Sequence, residues 1–221
     1  MNFCPSPELA EFVGIMLGDG CLGMYKCSSD RQVRIQYRVK ITVNVVDDIR
    51  YVETRVCPLI RYLFHIQPLI RKRSGEKTVD ILIFNKNLVE YLVKHVGLKL
   101  GPKRDCAEIP NWVLHYGLEL HALRGLFDTD GCLVFDKQHR EVFYYPRLEL
   151  KVSSRLLYYQ LSKILEQHGF RYSTSTRTGG NTIKLQVNGA TLLRRWVDEI
   201  GFNNPKHHAK YLIWQKNGYL R

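Results

Sequence analysis

An internal repeat is the feature that most constrains the fold of this chain. Residues 8–23 read ELAEFVGIMLGDGCLG, and residues 119–134 read ELHALRGLFDTDGCLV. Aligned without a gap, so that Asp19 falls on Asp130, the two segments share Glu-Leu, a central glycine and the run Asp-Gly-Cys-Leu. Two unrelated short helices rarely match in this order, so a duplicated structural unit is expected.

The same order of predicted elements follows each copy of the repeat. An alternating polar and apolar run predicts a half-buried strand, a helical stretch follows, and a hairpin precedes a helix that ends at a glycine. In the first half these segments are 34–44, 47–64, 69–84 and the helix before Gly97; in the second they are 147–153, 154–168, 171–187 and the helix before Gly201. The sequence therefore predicts an α+β protein of two αββαββα repeats. We place the first repeat at 1–100, a linker rich in glycine, proline and charge at 101–116, and the second repeat with an added C-terminal helix at 117–221.

The basic charge of the chain narrows the class of function. Lysine and arginine number 33 against 21 aspartates and glutamates, for a formal net charge of +12. Residues 1–110 contribute +5 and residues 111–221 contribute +7, so the excess is not a basic tail. Such a field suits a polyanion, most often nucleic acid, although charge can also serve solubility alone.

The apolar runs and the cysteines argue against a membrane protein and against a secreted protein. No apolar run approaches the roughly 20 residues of a membrane helix, and the N-terminus lacks the pattern of a secretion signal. The six cysteines form no CxxC pair, so reduced thiols are expected. The sequence therefore predicts an intracellular protein, of the cytoplasm, nucleoid or an organelle matrix, that is neither secreted nor bound to a membrane.

Small residues mark one face of the helix in each repeat. Gly14 and Gly18 are four residues apart, as are Gly125 and Thr129, so each pair shares a helical face. Glycine inside a helix costs about 1 kcal/mol relative to alanine, and close backbone approach between helices is the usual compensation. We therefore expect the two helices to pack against each other about a pseudo-two-fold axis and to bring their C-terminal ends together.

The end of each helix carries an Asp-Gly pair. Asp19 and Asp130 would lie side by side at partly negative helix ends, where their charges repel each other. A bound cation would offset this repulsion, and Mg²⁺ commonly takes one or two carboxylates together with water or phosphate oxygens. A bound metal can lower the pKa of water and stabilise charge on phosphate oxygens. The alternative is that Asp-Gly merely forms a turn into the next strand.

The two motifs resemble a known family. The segments FVGIMLGDG (12–20) and LRGLFDTDG (123–131) resemble the paired signatures of the LAGLIDADG homing endonucleases in their single-chain, two-repeat form. The segments IPNWV and NPKHHAKY also look like members of this family. The first motif departs at Leu17, where the signature has an acid that does not bind metal.

The resemblance implies a saddle of two four-stranded antiparallel sheets lying along DNA, with the motif helices at the central interface. It implies a metal site formed by Asp19 and Asp130 with the neighbouring Gly18 and Thr129, occupied by Mg²⁺ or by another divalent cation such as Mn²⁺ or Ca²⁺. It also implies a monomer, because one chain carries both halves of the site.

The alternating strands then supply candidate DNA contacts. Arginine and glutamine are the side chains that read guanine and adenine with two hydrogen bonds in the major groove. On the first strand the odd-numbered Ile35, Tyr37, Val39 and Ile41 are expected in the core. The residues expected to face DNA are Arg34, Gln36, Arg38, Lys40, Arg71, Arg73, Arg147, Glu149, Lys151, Arg177, Lys184 and Gln186. A solvated sheet face is the alternative for the same pattern.

A nuclease of this type also needs a cation that offsets charge in the transition state. In the family a lysine often fills this role after the last strand of a repeat, which makes Lys86 the candidate in the first repeat. In the second repeat Lys151 is the candidate, with Asn44 as its counterpart in the first.

These observations predict a site-specific endonuclease that hydrolyses double-stranded DNA with a divalent metal. The alternative is a protein of the same fold that binds nucleic acid without cutting it, such as an RNA maturase with intron RNA as its partner. The acid pair discriminates between them in part, because a non-cutting relative would be expected to lose one aspartate and this chain has both.

Overall fold

The computed structural model describes residues 2–29, 32–176 and 181–220. In the first half the elements are α1 Pro7–Leu17, β1 Gly20–Ser29, β2 Gln32–Asn44, α2 Val45–Tyr51, a π-helical stretch Val52–Val56, α3 Cys57–Phe64, β3 Leu69–Lys72, β4 Thr78–Ile83 and α4 Lys86–Lys94. In the second half they are α5 Asn111–His115, α6 Glu119–Asp130, β5 Gly131–Asp136, β6 Tyr145–Val152, α7 Arg155–Gln167, β7 Tyr172–Thr176, β8 Ile183–Asn188, α8 Ala190–Glu199 and α9 Pro205–Asn217.

Each half contains one four-stranded antiparallel sheet. The strand orders are β1-β2-β4-β3 and β5-β6-β8-β7, so the two sheets have the same topology. The predicted class, α+β with two αββαββα repeats, is therefore confirmed. The helix predicted at 47–64 is continuous from Val45 to Phe64 through the π-helical stretch.

Helix starts follow from side-chain caps that the sequence carries. Ser6 caps α1 by accepting a hydrogen bond from Leu9 N at 3.1 Å. Asn44 and Ser154 cap the equivalent helices α2 and α7 of the two repeats. Each cap satisfies an amide that has no partner within the helix, so these residues end a strand and begin a helix at equivalent places.

The first hairpin extends beyond the hydrophobic core. Strand β4 pairs only with Val39–Asn44, whereas β1 continues along β2 as far as Gln32. As a result, Ile35 is 52% exposed and Val33 is 70% exposed, while Val39 and Ile41 are buried. The prediction that Ile35 points into the core is wrong, because alternation marks a face of the strand and not how far the core reaches beneath it.

Helices α1 and α6 form the main contact between the repeats. A Cβ at Gly14 would lie 2.0 Å from Ala122 O, and a Cβ at Gly125 would lie 2.2 Å from Glu11 O. Both glycines therefore permit backbone contact that a larger residue excludes. The expected packing of the motif helices against each other is what the structure has.

We expect Gly14→Ala and Gly125→Ala each to destabilise the protein by about 1–3 kcal/mol, because the added methyl forces two packed backbones apart. In an ordinary helix the same change stabilises by about 1 kcal/mol. The sign of the change in the free energy of unfolding therefore distinguishes close helix packing from an ordinary helix, and thermal unfolding of both variants measures it. A raised melting temperature would contradict the close helix contact.

A buried carboxylate also joins the repeats. Glu11 is fully buried and accepts hydrogen bonds from Arg55 Nε at 2.7 Å, Arg124 Nη2 at 2.8 Å and Asn203 Nδ2 at 2.8 Å. Arg55 belongs to the first repeat, whereas Arg124 and Asn203 belong to the second. This network lies in the N-terminal part of the helix pair, so it leaves the C-terminal ends free for other chemistry.

The segment between the repeats packs on the first sheet. Gly101 N donates to Leu22 O at 2.8 Å, and Leu22 bridges Leu100. The short helix α5 lies within the segment predicted as a linker. All six cysteines are free thiols, and no helix in the described ranges is both long and apolar enough to cross a membrane.

Candidate active site and nucleic-acid interface

The two aspartates lie where α1 and α6 end. A Cβ at Gly18 would lie 2.0 Å from Thr129 Oγ1 and 3.6 Å from Asp130 Cγ, so the end of α1 touches the end of α6. The Thr129 hydroxyl donates within its own helix to Gly125 O at 3.1 Å. The small residues thus bring the ends of the helices, and with them Asp19 and Asp130, together.

The aspartates carry raised pKa values. Burial is the largest cause for Asp19, followed by repulsion from Asp130 and Asp48, and together they raise its pKa to about 7. Burial also raises the pKa of Asp130, although this residue keeps contact with solvent. The repulsion that acts on Asp19 is the crowding of like charges that the sequence predicts at the helix ends, whereas burial alone raises the pKa of Asp130.

Two lysines face this pair. The positive charges of Lys103 and Lys206 lower the pKa of both aspartates and so oppose the effect of burial. The Lys103 ammonium donates to Met16 O and Gly18 O at the end of α1. Burial is the largest influence on Lys103 and lowers its pKa to about 8. Lys206 reaches the site from the first turn of α9.

A cleft of about 260 Å³ opens beside these groups. Its lining includes Gly18, Lys103, Arg104, Asp130 and Lys151. Lys151 therefore lies in the same cleft as Asp130, as the sequence analysis expected of a lysine in the second repeat. The basic side chains suit an anionic ligand, and the two aspartates suit a metal cation that binds the same ligand.

The donor set fits a divalent cation such as Mg²⁺. The Asp130 carboxylate is near enough for its charge to raise the pKa of Asp19, and the Gly18 carbonyl beside them already accepts an ammonium, so the position attracts positive charge. In the described ranges no cluster of three or more histidine, cysteine, aspartate or glutamate side chains forms a cage. Two carboxylates completed by water or phosphate oxygens are the usual arrangement for Mg²⁺.

Of the predicted catalytic residues, Lys86 lies on another side of the sheet, and Asn44 caps a helix. Lys86 begins α4, with its ammonium 5.8 Å from the centroid of the Tyr37 ring and 3.8 Å from Glu90. Tyr37 lies on the face of β2 opposite Lys40, so Lys86 lies on the helix side of the sheet, and its assignment to the active site is corrected. Asn44 is exposed and its side-chain oxygen is engaged as the cap of α2, accepting from Val46 N at 2.8 Å.

The sequence contained a signal for the lysines that the structure reveals. A Pro-Lys dipeptide follows the closing glycine of each repeat: Pro102-Lys103 after Gly97, and Pro205-Lys206 after Gly201. The expectation of a lysine after the last strand of a repeat points instead to Lys86. The equivalent placement of Lys103 and Lys206 would have been visible from the closing glycines.

On the first sheet, the polar side chains predicted for β2 share one face of the strand. Arg38 stacks on Tyr25 of β1, with the guanidinium carbon 4.3 Å from the ring centroid. Arg73 is held by Asp80 through two contacts of 2.9 Å. Arg71 lies opposite Asp80 in the register of β3 and β4. This face includes Arg34, Gln36, Arg38 and Lys40 of β2 and Arg71 of β3, and Arg73, just after β3, reaches it through Asp80 of β4.

On the second sheet, several predicted contacts are tied to one another. Glu149 accepts from Gln186 Nε2 at 2.6 Å and from Lys184 Nζ at 3.3 Å. Arg147 pairs with Asp136 at 2.7 Å. To bind this face, DNA would therefore have to displace the protein partners of these side chains. The predicted contact Arg177 lies outside the described residues.

We expect Asp19→Asn to stabilise the metal-free protein at pH 8. Asp19 has a folded pKa of about 7, above the ordinary 3.8, so the wild type loses stability as pH rises through this window. The gain should be about 1–2 kcal/mol after allowance for solvent at the cleft, and it should shrink as the pH falls below 7 and vanish well below 3.8, where the carboxyl is protonated in both the folded and the unfolded protein. Melting temperature against pH measures it, with the exposed Asp47→Asn as the matched control. A difference independent of pH would contradict the raised pKa.

Comparison with known proteins finds a family model that matches part of the chain and several solved structures with a similar fold. Residues 118–201 match a family model described as a LAGLIDADG-like domain. The structure of I-DmoI in complex with DNA and Mn aligns with a TM-score of 0.59 and 20% identity, covering 88% of this chain and 96% of that one. The I-LtrWI LAGLIDADG homing endonuclease bound to target DNA aligns with a TM-score of 0.65 and 9% identity, covering 95% and 91%. Meganuclease I-SmaMI bound to uncleavable DNA aligns with a TM-score of 0.63 and 11% identity, covering 95% of this chain and 90% of that one. No curated protein sequence matches the chain.

Paired sheets joined by crossing helices that end in aspartates are the two-repeat fold of the LAGLIDADG homing endonucleases. The match of residues 118–201 to the LAGLIDADG-like family model and the shared fold confirm the resemblance drawn from the two motifs. I-DmoI structures have also been solved with Ca and in the presence of Mg.

Proposed function

We propose that this chain is a site-specific endonuclease that hydrolyses double-stranded DNA with a divalent cation. The observation that carries the proposal is the meeting of Asp19 and Asp130 with Lys103 and Lys206 between two sheets that present basic faces. Because both halves of this arrangement are on one chain, we also propose that the protein acts as a monomer within an intracellular compartment that contains DNA.

The residues have distinct roles in this proposal. Asp19 and Asp130, with Gly18 and Thr129 beside them, would hold Mg²⁺, Mn²⁺ or Ca²⁺ at the end of the helix pair. A cation there supplies Lewis acidity toward the scissile phosphate and its attacking water. Lys103, Lys206 and Lys151 stabilise negative charge on phosphate oxygens. Arginine and glutamine side chains on the strands would read base edges.

The deciding experiment uses a randomised duplex library incubated with and without Mg²⁺, followed by sequencing of the cut ends. We expect one recurring sequence among the ends, in the presence of the metal only. Support comes from structural relatives that were solved with target DNA. Sequence-specific binding with no cutting in Mg²⁺ or Mn²⁺ would favour the alternative, a non-cutting protein such as an intron RNA maturase, and intron RNA would then be the ligand to test.

We expect DNA affinity to fall steeply with salt, because the net charge of +12 is shared by both halves. The slope of log K against log salt should be about 0.9 for each phosphate neutralised. Lys40→Ala should reduce that slope by about one if the residue contacts phosphate, whereas Arg38→Ala should weaken binding at particular base pairs if it reads a base. Lys86→Ala is the matched control, since it removes the same charge from the opposite side of the first sheet. Affinity insensitive to salt would contradict nucleic-acid binding.

A further inference from the structure

The two active-site lysines are held in different ways. Lys103 rests on the carbonyls of Met16 and Gly18, and no ion pair among the described residues includes Lys103 and an acid. Lys206, in contrast, forms an ion pair with Asp48, with Nζ 2.7 Å from Oδ1. The two lysines have equivalent positions in the sequence but different partners in the fold, carbonyl oxygens for Lys103 and a carboxylate for Lys206.

Asp48 lies in a polar network that joins the repeats. It is 8% exposed and accepts a second hydrogen bond from Asn204 Nδ2 at 2.8 Å. Asn204 is fully buried and also donates to Asp128 O, in the last turn of α6, at 2.8 Å. Asp48 belongs to α2 of the first repeat, whereas Lys206 and Asn204 belong to the C-terminal segment. One repeat thus fixes the lysine that the other repeat supplies.

The second repeat offers no equivalent carboxylate. Asp48 is four residues after the cap Asn44, and the residue four positions after the equivalent cap Ser154 is Tyr158. Asp48 also lies near enough to the catalytic pair for its charge to act on Asp19. A carboxylate fixes a flexible ammonium strongly, and within the described ranges Lys206 is the one of the two lysines that forms an ion pair with an acid.

We propose that Asp48 is a positioning residue for Lys206, and that it makes the cleavage of one DNA strand depend on a contact that the other strand does not need. The inference rests on the proposed endonuclease function. Asp48 does not touch the reacting groups in this arrangement; it acts by holding the Lys206 ammonium in place.

The test follows each strand of a duplex target separately, with a different label on each end, for the wild type and for Asp48→Asn, Lys206→Met and Lys103→Met. We expect Asp48→Asn to slow one strand about tenfold, and Lys206→Met to slow that same strand more. Lys103→Met should slow the opposite strand. Asp47→Asn, on the exposed side of the same helix, should match the wild type in both strands.

A double variant separates positioning from a structural role. If Asp48 acts through Lys206, adding Asp48→Asn to Lys206→Met should change neither strand further. An equal loss in both strands, a loss in the strand that depends on Lys103, or a full additional loss in the double variant would overturn the proposal. Asp48→Glu keeps the charge, which protects the fold, and its extra methylene should give the same strand bias in a weaker form.

A second measurement does not depend on cleavage. With a water-soluble amine-acylating reagent and mass spectrometry, Lys206 should react several times faster in Asp48→Asn than in the wild type, while Lys103 stays unchanged. A wild type that cuts neither strand would refute the endonuclease function and leave this result to decide the role of Asp48. Equal reaction of Lys206 in both proteins would overturn the positioning role.

Discussion

Replacing Asp19 or Asp130 by asparagine should reduce double-strand cleavage by at least about 100-fold, which corresponds to about 2.7 kcal/mol in the activation free energy. Asp19→Asn and Asp130→Asn keep the size of the side chain and its ability to form a turn, but each removes a charge that would hold the metal. DNA binding without metal should persist or tighten, because a negative charge that faces phosphates is gone. Cleavage and binding are measured on the same duplex for both variants.

The alternative interpretation of these aspartates gives the opposite result. If each Asp-Gly pair served only as a turn into β1 or β5, asparagine would replace it with little effect in any assay. Full cleavage by both variants in Mg²⁺ would therefore refute the proposed chemistry. Loss of binding together with cleavage would instead indicate damage to the fold, which thermal unfolding detects.

The second large effect concerns the lysines that the structure places beside the acids. Lys103→Met and Lys206→Met should each slow cleavage of one strand by about 100-fold, since removal of one group that stabilises transition-state charge has an effect of this size. Methionine keeps the apolar stem and removes the ammonium. We expect nicked duplex to accumulate in both variants, with the nick in opposite strands.

A matched control separates this result from a general loss of charge. Lys86→Met removes the same charge from the helix side of the first sheet, where Lys86 lies 5.8 Å from the Tyr37 ring, and should cut both strands at the wild-type rate. Nicking by Lys86→Met, or equal loss of both strands in Lys103→Met, would contradict the assignment of the lysines.

Much of the fold was accessible from local patterns. The period of two along residues 34–44 predicted a strand and its polar face, and the spacing of Gly14, Gly18, Gly125 and Thr129 predicted the helix contact. These patterns succeed because strand and helix geometry repeat over a few residues. They failed at Ile35, since the extent of the core beneath a strand depends on β4, which lies far along the chain.

The sequence by itself determined that the chain has two equivalent repeats, that their small-residue helices meet, and that Asp19 and Asp130 end those helices. Only the tertiary structure decided that Lys103 and Lys206 face the aspartates while Lys86 does not, and that Asp48 holds Lys206. The physical reason is that a helix or strand carries its own periodicity, whereas the neighbours of a flexible lysine are set by how distant segments pack. Lys103 reaches Gly18 from the segment between the repeats, and no local pattern records that contact.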